Sequence, residues 1–191
     1  MPANLDYALC PALPPGDLWV FGYGSLMWNP DFDHVESRPA LLHGYQRAFC
    51  IYSVTYRGTP EHPGLVLGLN RGGACRGVAF RVSESNRETV LSALWTREMQ
   101  RLVYSPKLLP VEMDVGSVQA LTFVADPSHE SYAGHLALEH VAVTIASCCG
   151  ARGPNIDYLA KTIRHLEALG IDEPRLREIW LAVERRRVPR N

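Results

Sequence analysis

No stretch of this chain approaches the roughly 18 consecutive apolar residues of a membrane-spanning helix, so no such helix is expected. A surplus of positive charge is also lacking. The 19 Lys and Arg stand against 20 Asp and Glu, for a formal net charge of −1 with seven His neutral. A basic footprint for nucleic acid is therefore missing, and no acidic block marks a solvated tail. Residues 1–6 lack a basic region followed by an apolar run and do not read as a signal peptide. Cysteine is scarce and awkwardly spaced, at Cys10, Cys50, Cys75, Cys148 and Cys149. An odd count with a vicinal pair and no C-x-x-C fits neither a disulfide framework nor a zinc site. Reduced thiols in the cytoplasm are the expectation. The His residues show no H-E-x-x-H or other ligand spacing, and neither G-x-G-x-x-G nor G-K-[ST] occurs, so nucleotide phosphates are not indicated.

What is present is an ordinary globular composition, 47% hydrophobic over 191 residues. One domain is expected over residues 17–191, after a proline-rich, weakly ordered lead over 1–16. Strand signals dominate first. Residues 18–21 (Leu-Trp-Val-Phe) form a short apolar run stopped by glycines, and 48–54 read as a second strand. Residues 65–69 and 77–82 flank Asn70-Arg71-Gly72-Gly73 and predict a hairpin. Two further strands are expected over 108–113 and 118–124, separated by a turn.

Between them, Ser85 and Glu88 fit a capping box for a helix whose apolar stripe is Val90, Leu91, Leu94 and Trp95. From 134 onward the chain reads as helical. The first helix carries Leu138, Val141, Ala142, Ile145 and Cys149 and stops at Gly150. The second is capped by Asn155, buries Leu159, Ile163 and Leu166, and ends at Gly170. The third is capped by Asp172, with Leu176, Ile179, Trp180 and Val183 inward. Arg185-Arg186-Arg187 at its end suits the helix dipole. Strands first and helices later predict an α+β fold with a mainly antiparallel sheet or small barrel.

Glu98 is the residue out of place. Counting from Leu91, Leu94 and Trp95 fall at i+3 and i+4 and Glu98 at i+7, on the apolar face near the helix end. Burial and the negative end of the helix dipole both raise a carboxyl pKa there, towards the range useful for proton transfer. The competing reading is a glutamate that turns outward or pairs with Arg97 or Arg101. Gly22-Tyr23-Gly24-Ser25 is the second candidate. Its glycines allow a sharp turn whose N–H groups can hold an anion, although a plain strand-ending turn is commoner. Ser25 lacks the G-x-S-x-G elbow of a nucleophile.

Residues 20–30 (V-F-G-Y-G-S-L-M-W-N-P) resemble the ChaC family of γ-glutamylcyclotransferases. The likeness continues through Gly44-Tyr45-Gln46-Arg47, residues 57–61, 63–69, 77–82 and 153–159, with Arg97-Glu98 where the family carries its catalytic Arg-Glu pair. The resemblance implies a mixed barrel with surrounding helices. It also implies that the α-amine of a γ-glutamyl group attacks its own side-chain carbonyl, releasing 5-oxoproline and an amine, which is Cys-Gly when the substrate is glutathione. Glu98 is then the acid/base, and Tyr23, Gly24, Ser25, Leu26, Met27 and Trp28 hold the substrate. No cofactor or metal is required.

Some relatives carry Gly-Gly-Tyr just after the catalytic glutamate. Here Met99-Gln100-Arg101-Leu102-Val103-Tyr104 follows, closer to bacterial members, and Tyr104 is assigned the phenol. Residues 57–61 are the candidate for the Cys-Gly portion of a glutathione site. Other γ-glutamyl amino acids or γ-glutamylamines remain alternative substrates, and a non-catalytic binding or regulatory protein is the alternative of another class. The remaining expectations are a cytoplasmic monomer or weak dimer with a small-molecule substrate and with neither nucleic acid nor membrane as a partner.

Overall fold

The computed structural model describes residues 9–187. They group into two compact units, residues 9–47 with Leu69–His129, and Ala48–Gly68 with residues 130–187. The elements are β1 (Leu18–Gly22), a 3-10 turn (Ser25–Met27), β2 (Glu36–Ser53), β3 (Gly64–Val82), a 3-10 turn (Glu84–Asn86), α1 (Arg87–Glu98), β4 (Tyr104–Met113) and β5 (Gly116–Ala125). There follow α2 (Leu138–Ser147), β6 (Cys149–Gly150), β7 (Gly153–Pro154), α3 (Asn155–Ala168) and α4 (Pro174–Arg187). Strands β1-β3-β2-β4-β5 close into a barrel, mostly antiparallel, sealed by a parallel pairing of β1 with β5 at Trp19↔Ala120 and Val20↔Leu121. The expected α+β barrel architecture is the observed one.

In the first unit the uninterrupted apolar run of β1 has a simple cause: both of its faces are covered. Leu18 and Val20 join Val82, Leu121 and Phe123 against Val90, Leu91, Leu94, Trp95 and Met99 of the α1 segment. The Trp95 ring meets Phe123 edge-on, centroids 5.8 Å apart. Phe21 points the other way, into a second cluster with Ala40, Leu42, Leu69, Ala79, Val111 and Val124. Cys10 and Leu13, within the expected lead, pack against the first cluster, while residues 1–8 lie outside the described range.

Several local expectations are corrected. The hairpin over 65–82 is one continuous strand, β3. Gly72 and Gly73 adopt φ of 104° and 64°, so this glycine pair bends the strand instead of reversing it. Strand β2 begins at Glu36, twelve residues before the expected start; its early part buries Ala40 and Leu42, an alternation that Pro39 and Gly44 obscure in the sequence. The Ser85–Glu88 capping box is not used. The helix is entered through the 3-10 turn, and Asp17 Oδ1, distant in sequence, accepts the Glu84 N–H at 3.0 Å.

In the second unit α2, α3 and α4 pack on one another. They bury Val141, Ile145, Leu159, Leu166, Leu176, Ile179 and Val183, with Ile163 and Trp180 half-buried. Gly170 (φ 68°) ends α3 as expected. Its N–H bonds Glu167 O at 2.9 Å and the Ile171 N–H bonds Leu166 O at 2.8 Å, the paired bonds of a Schellman cap. Helix α2, by contrast, stops at Ser147, so Cys149 is exposed on β6 and not on an apolar helix face. Asn155 does not cap α3 either. It is the first helical residue, fully buried, and its amide grips Leu65 from both sides: Oδ1 accepts the Leu65 N–H at 2.6 Å and Nδ2 donates to Leu65 O at 2.8 Å. Nor does Asp172 cap α4, where Glu173 O accepts the first helical N–H groups and Asp172 instead pairs with Arg177. Arg186 donates to Ala182 O and pairs with Glu139, while the Arg187 side chain lies outside the described residues. Among the described residues no helix is long and apolar enough to cross a membrane.

Candidate active site

The site grows from the end of β1. A Cβ on Gly77 would stand 2.3 Å from Gly22 O and 2.6 Å from the Phe21 ring, so the chain leaves β1 over a bare stretch of β3. It then coils at once. The Met27 N–H bonds Gly24 O at 2.9 Å, and the Trp28 and Asn29 N–H groups both bond Ser25 O. Those bonds occupy the later donors of the turn; the first N–H groups of any helical turn have no acceptor within it.

The six residues assigned to substrate binding divide into two groups. Tyr23, Leu26 and Met27 are 7%, 5% and 5% exposed, with Tyr23 and Leu26 set in the two core clusters, so their side chains build the turn. Gly24, Ser25 and Trp28 are only half-buried. A Cβ added to Gly24 would meet nothing within 4 Å. The surface this segment offers a ligand is thus Gly24 with its peptide, Ser25 and Trp28.

Arg97, in the last turn of α1, ties this segment to the carboxylate. One terminal nitrogen donates to Ser25 Oγ at 2.8 Å and the other to Asn29 O at 2.7 Å and Pro30 O at 3.3 Å. Its Nε lies 3.2 Å from Glu98 Oε1. Glu98 is the last residue of α1, and its side chain is 17% exposed. Both readings of Glu98 hold in part: it is withdrawn from water, and it pairs with Arg97. Burial raises its pKa and is the largest influence; the Arg97 charge and hydrogen bond pull the other way without cancelling it. A carboxylate so placed is a stronger base than an exposed one.

Tyr104 is half-buried and packs on the cluster that holds Leu26, Trp95 and Met99, which places it on the same side of the core as α1. Residues 57–61 belong to the second unit. There the Arg57 guanidinium donates to Arg152 O at 2.7 Å and Pro154 O at 3.0 Å and lies 5.5 Å from the Tyr158 ring centroid. Sequence reasoning missed Arg47 as a site residue. It is 2% exposed and donates to Tyr23 O at 2.6 Å. The available signal was a charged residue at period two with Tyr45, Phe49 and Ile51 in a strand. All five cysteines are free thiols, and burial pushes Cys50 up to about 12. Among the described residues no cluster of three or more His, Cys, Asp or Glu is placed to hold a metal ion.

Known proteins share both sequence and fold with this chain. The family described as ChaC-like protein matches residues 18–186. The glutathione-specific γ-glutamylcyclotransferase of Escherichia coli K12 is 38% identical over 184 residues, spanning 96% of this chain and 80% of that protein. The human glutathione-specific γ-glutamylcyclotransferase 1 is 34% identical, spanning 82% of this chain and 72% of that one. A crystal structure of the yeast γ-glutamylcyclotransferase specific to glutathione superposes with a TM-score of 0.79 at 21% identity, covering 90% of this chain and all of that one, which shows a shared fold. With a match over nearly its whole length and relatives above 30% identity, the chain belongs to the ChaC-like family.

Proposed function

We propose that this protein is a γ-glutamylcyclotransferase that cleaves glutathione to 5-oxoproline and Cys-Gly, with Glu98 as its acid/base. The observation that carries the reading is the half-buried Glu98 carboxyl, raised in pKa by burial and linked through Arg97 to the Ser25 turn. The substrate's α-amine is a nucleophile only when unprotonated. Glu98 accepts a proton from the α-ammonium, and the amine attacks the γ-carbonyl carbon to close a five-membered ring. Glu98 then gives that proton to the leaving nitrogen as the old C–N bond breaks, and the second proton of the ring nitrogen passes to the freed Glu98 carboxylate and on to the released amine, leaving a neutral lactam. Exposed donors of the 24–28 segment hold the α-carboxylate and fix the folded conformer.

Nucleophile and electrophile already share one molecule, so orientation contributes most, about 7–11 kcal/mol of barrier in well-aligned cases. Proton transfer adds roughly 10²–10⁴-fold. Turn and carboxylate come from a single chain, so a monomer is sufficient, and five free thiols suit a reducing compartment such as the cytoplasm.

The test is 5-oxoproline release from glutathione, γ-glutamyl-alanine and a γ-glutamylamine, each with purified protein. Release mainly from glutathione is expected. Release mainly from another γ-glutamyl compound replaces the substrate and keeps the reaction. A folded protein that releases 5-oxoproline from none of them points to the binding or regulatory alternative.

A further inference from the structure

Arg47, on β2, braces the substrate turn. Its Nε donates to Tyr23 O at 2.6 Å, and a terminal nitrogen donates to Arg76 O at 2.6 Å and lies 3.9 Å from Met27 Sδ. The guanidinium therefore holds both ends of the turn, Tyr23 and Met27, and fastens them to β3. The Tyr23 carbonyl belongs to the same peptide unit as the Gly24 N–H. Density drawn towards that oxygen makes the N–H a stronger donor, as in any hydrogen-bonded chain. The Gly24 position borders open space. At the next residue the pattern repeats: Arg97 donates to Ser25 Oγ, which leaves the hydroxyl hydrogen to be donated elsewhere.

We infer that Arg47 is a positioning residue that acts through the Tyr23–Gly24 peptide to make the turn an electrostatic cradle for the α-carboxylate of the γ-glutamyl group. The inference rests on the cyclotransferase reading and deepens it. Neutral side chains can brace a turn, whereas withdrawing a cation from water is costly. A buried charge acts on a ligand over several ångströms because little water screens it. Such a charge favours the carboxylate in ground state and transition state alike, so it lowers KM more than it raises kcat.

The experiment compares 5-oxoproline with its neutral amide, 5-oxoprolinamide, as ligands in NMR titrations of the wild type, Arg47→Gln and Arg47→Lys. In Arg47→Gln the acid is expected to bind on the order of tenfold more weakly, with the amide little changed. Arg47→Lys, at mildly acidic pH where a buried ammonium stays protonated, is expected to keep the preference for the acid. Equal weakening of acid and amide in Arg47→Gln, or no weakening, reduces Arg47 to a mechanical brace and overturns the inference. If Arg47→Gln does not fold, the lysine variant decides, and a folded Arg47→Lys that binds acid and amide alike is the contrary result. A wild type that binds neither compound overturns the cradle, while the cyclotransferase reading is decided separately by 5-oxoproline release from glutathione.

Discussion

Each unit of the molecule contains a glycine-lined turn beside buried polar groups, and the two use them differently. In the second unit the turn is filled by the protein itself. A Cβ on Gly58 would stand 2.0 Å from Gly64 N, and one on Gly150 would stand 2.6 Å from Gly58 N. A fully buried polar side chain there, Asn155, is satisfied on both sides by one backbone residue. In the first unit Gly24 borders open space, and Glu98 is a partly exposed acid with its pKa raised. Close-packed glycines and a balanced amide mark structure. An open glycine whose neighbour Ser25 is joined through Arg97 to an acid held out of balance supports the proposal that this turn takes a ligand.

The sharpest way to break that contrast is to add one methyl group to each turn. Gly150→Ala drives a Cβ into the backbone of residues 56–58 and is expected to cost about 2–4 kcal/mol, read by chemical denaturation. Gly24→Ala is expected to leave stability within about 1 kcal/mol while lowering kcat/KM by roughly 10- to 100-fold, because the methyl occupies ligand space. If the two variants exchanged these effects, the assignment of the turns would be wrong.

The smallest effect concerns stability and pH. Glu98 has a raised pKa, so between the usual glutamate value and that raised value the native state binds more protons than the unfolded state. Stability therefore falls as pH rises through this window, and ionised Glu98 is a liability above it. Glu98→Gln removes the liability. It is expected to melt above the wild type at pH near 8, with the advantage shrinking in acid. A melting temperature below that of the wild type across the whole range would show Glu98 to be a structural ion-pair partner instead.

Glu98 was legible in the sequence because α1 has a clear apolar stripe and a carboxyl falls on it. The turn was legible because two glycines directly after a short apolar run mark a sharp change of chain direction. What escaped depended on partners far along the chain. Asp17 caps the helix entry from 67 residues away, and Asn155 holds Leu65 across 90. No local pattern reports either pairing. Arg47 escaped because strand β2 is interrupted at Pro39 and Gly44, which hides the alternation that places its guanidinium inside. The glycine pair in β3 misled because a bend and a reversal draw on the same residues.

The central claim, that Glu98 moves the protons of cyclisation, is tested most directly by kcat for glutathione in Glu98→Gln, with substrate affinity measured on the same preparation. The account predicts a folded protein that still binds glutathione and loses roughly 10²–10⁴-fold in kcat. A Glu98→Gln protein that turns over at the wild-type rate would contradict it.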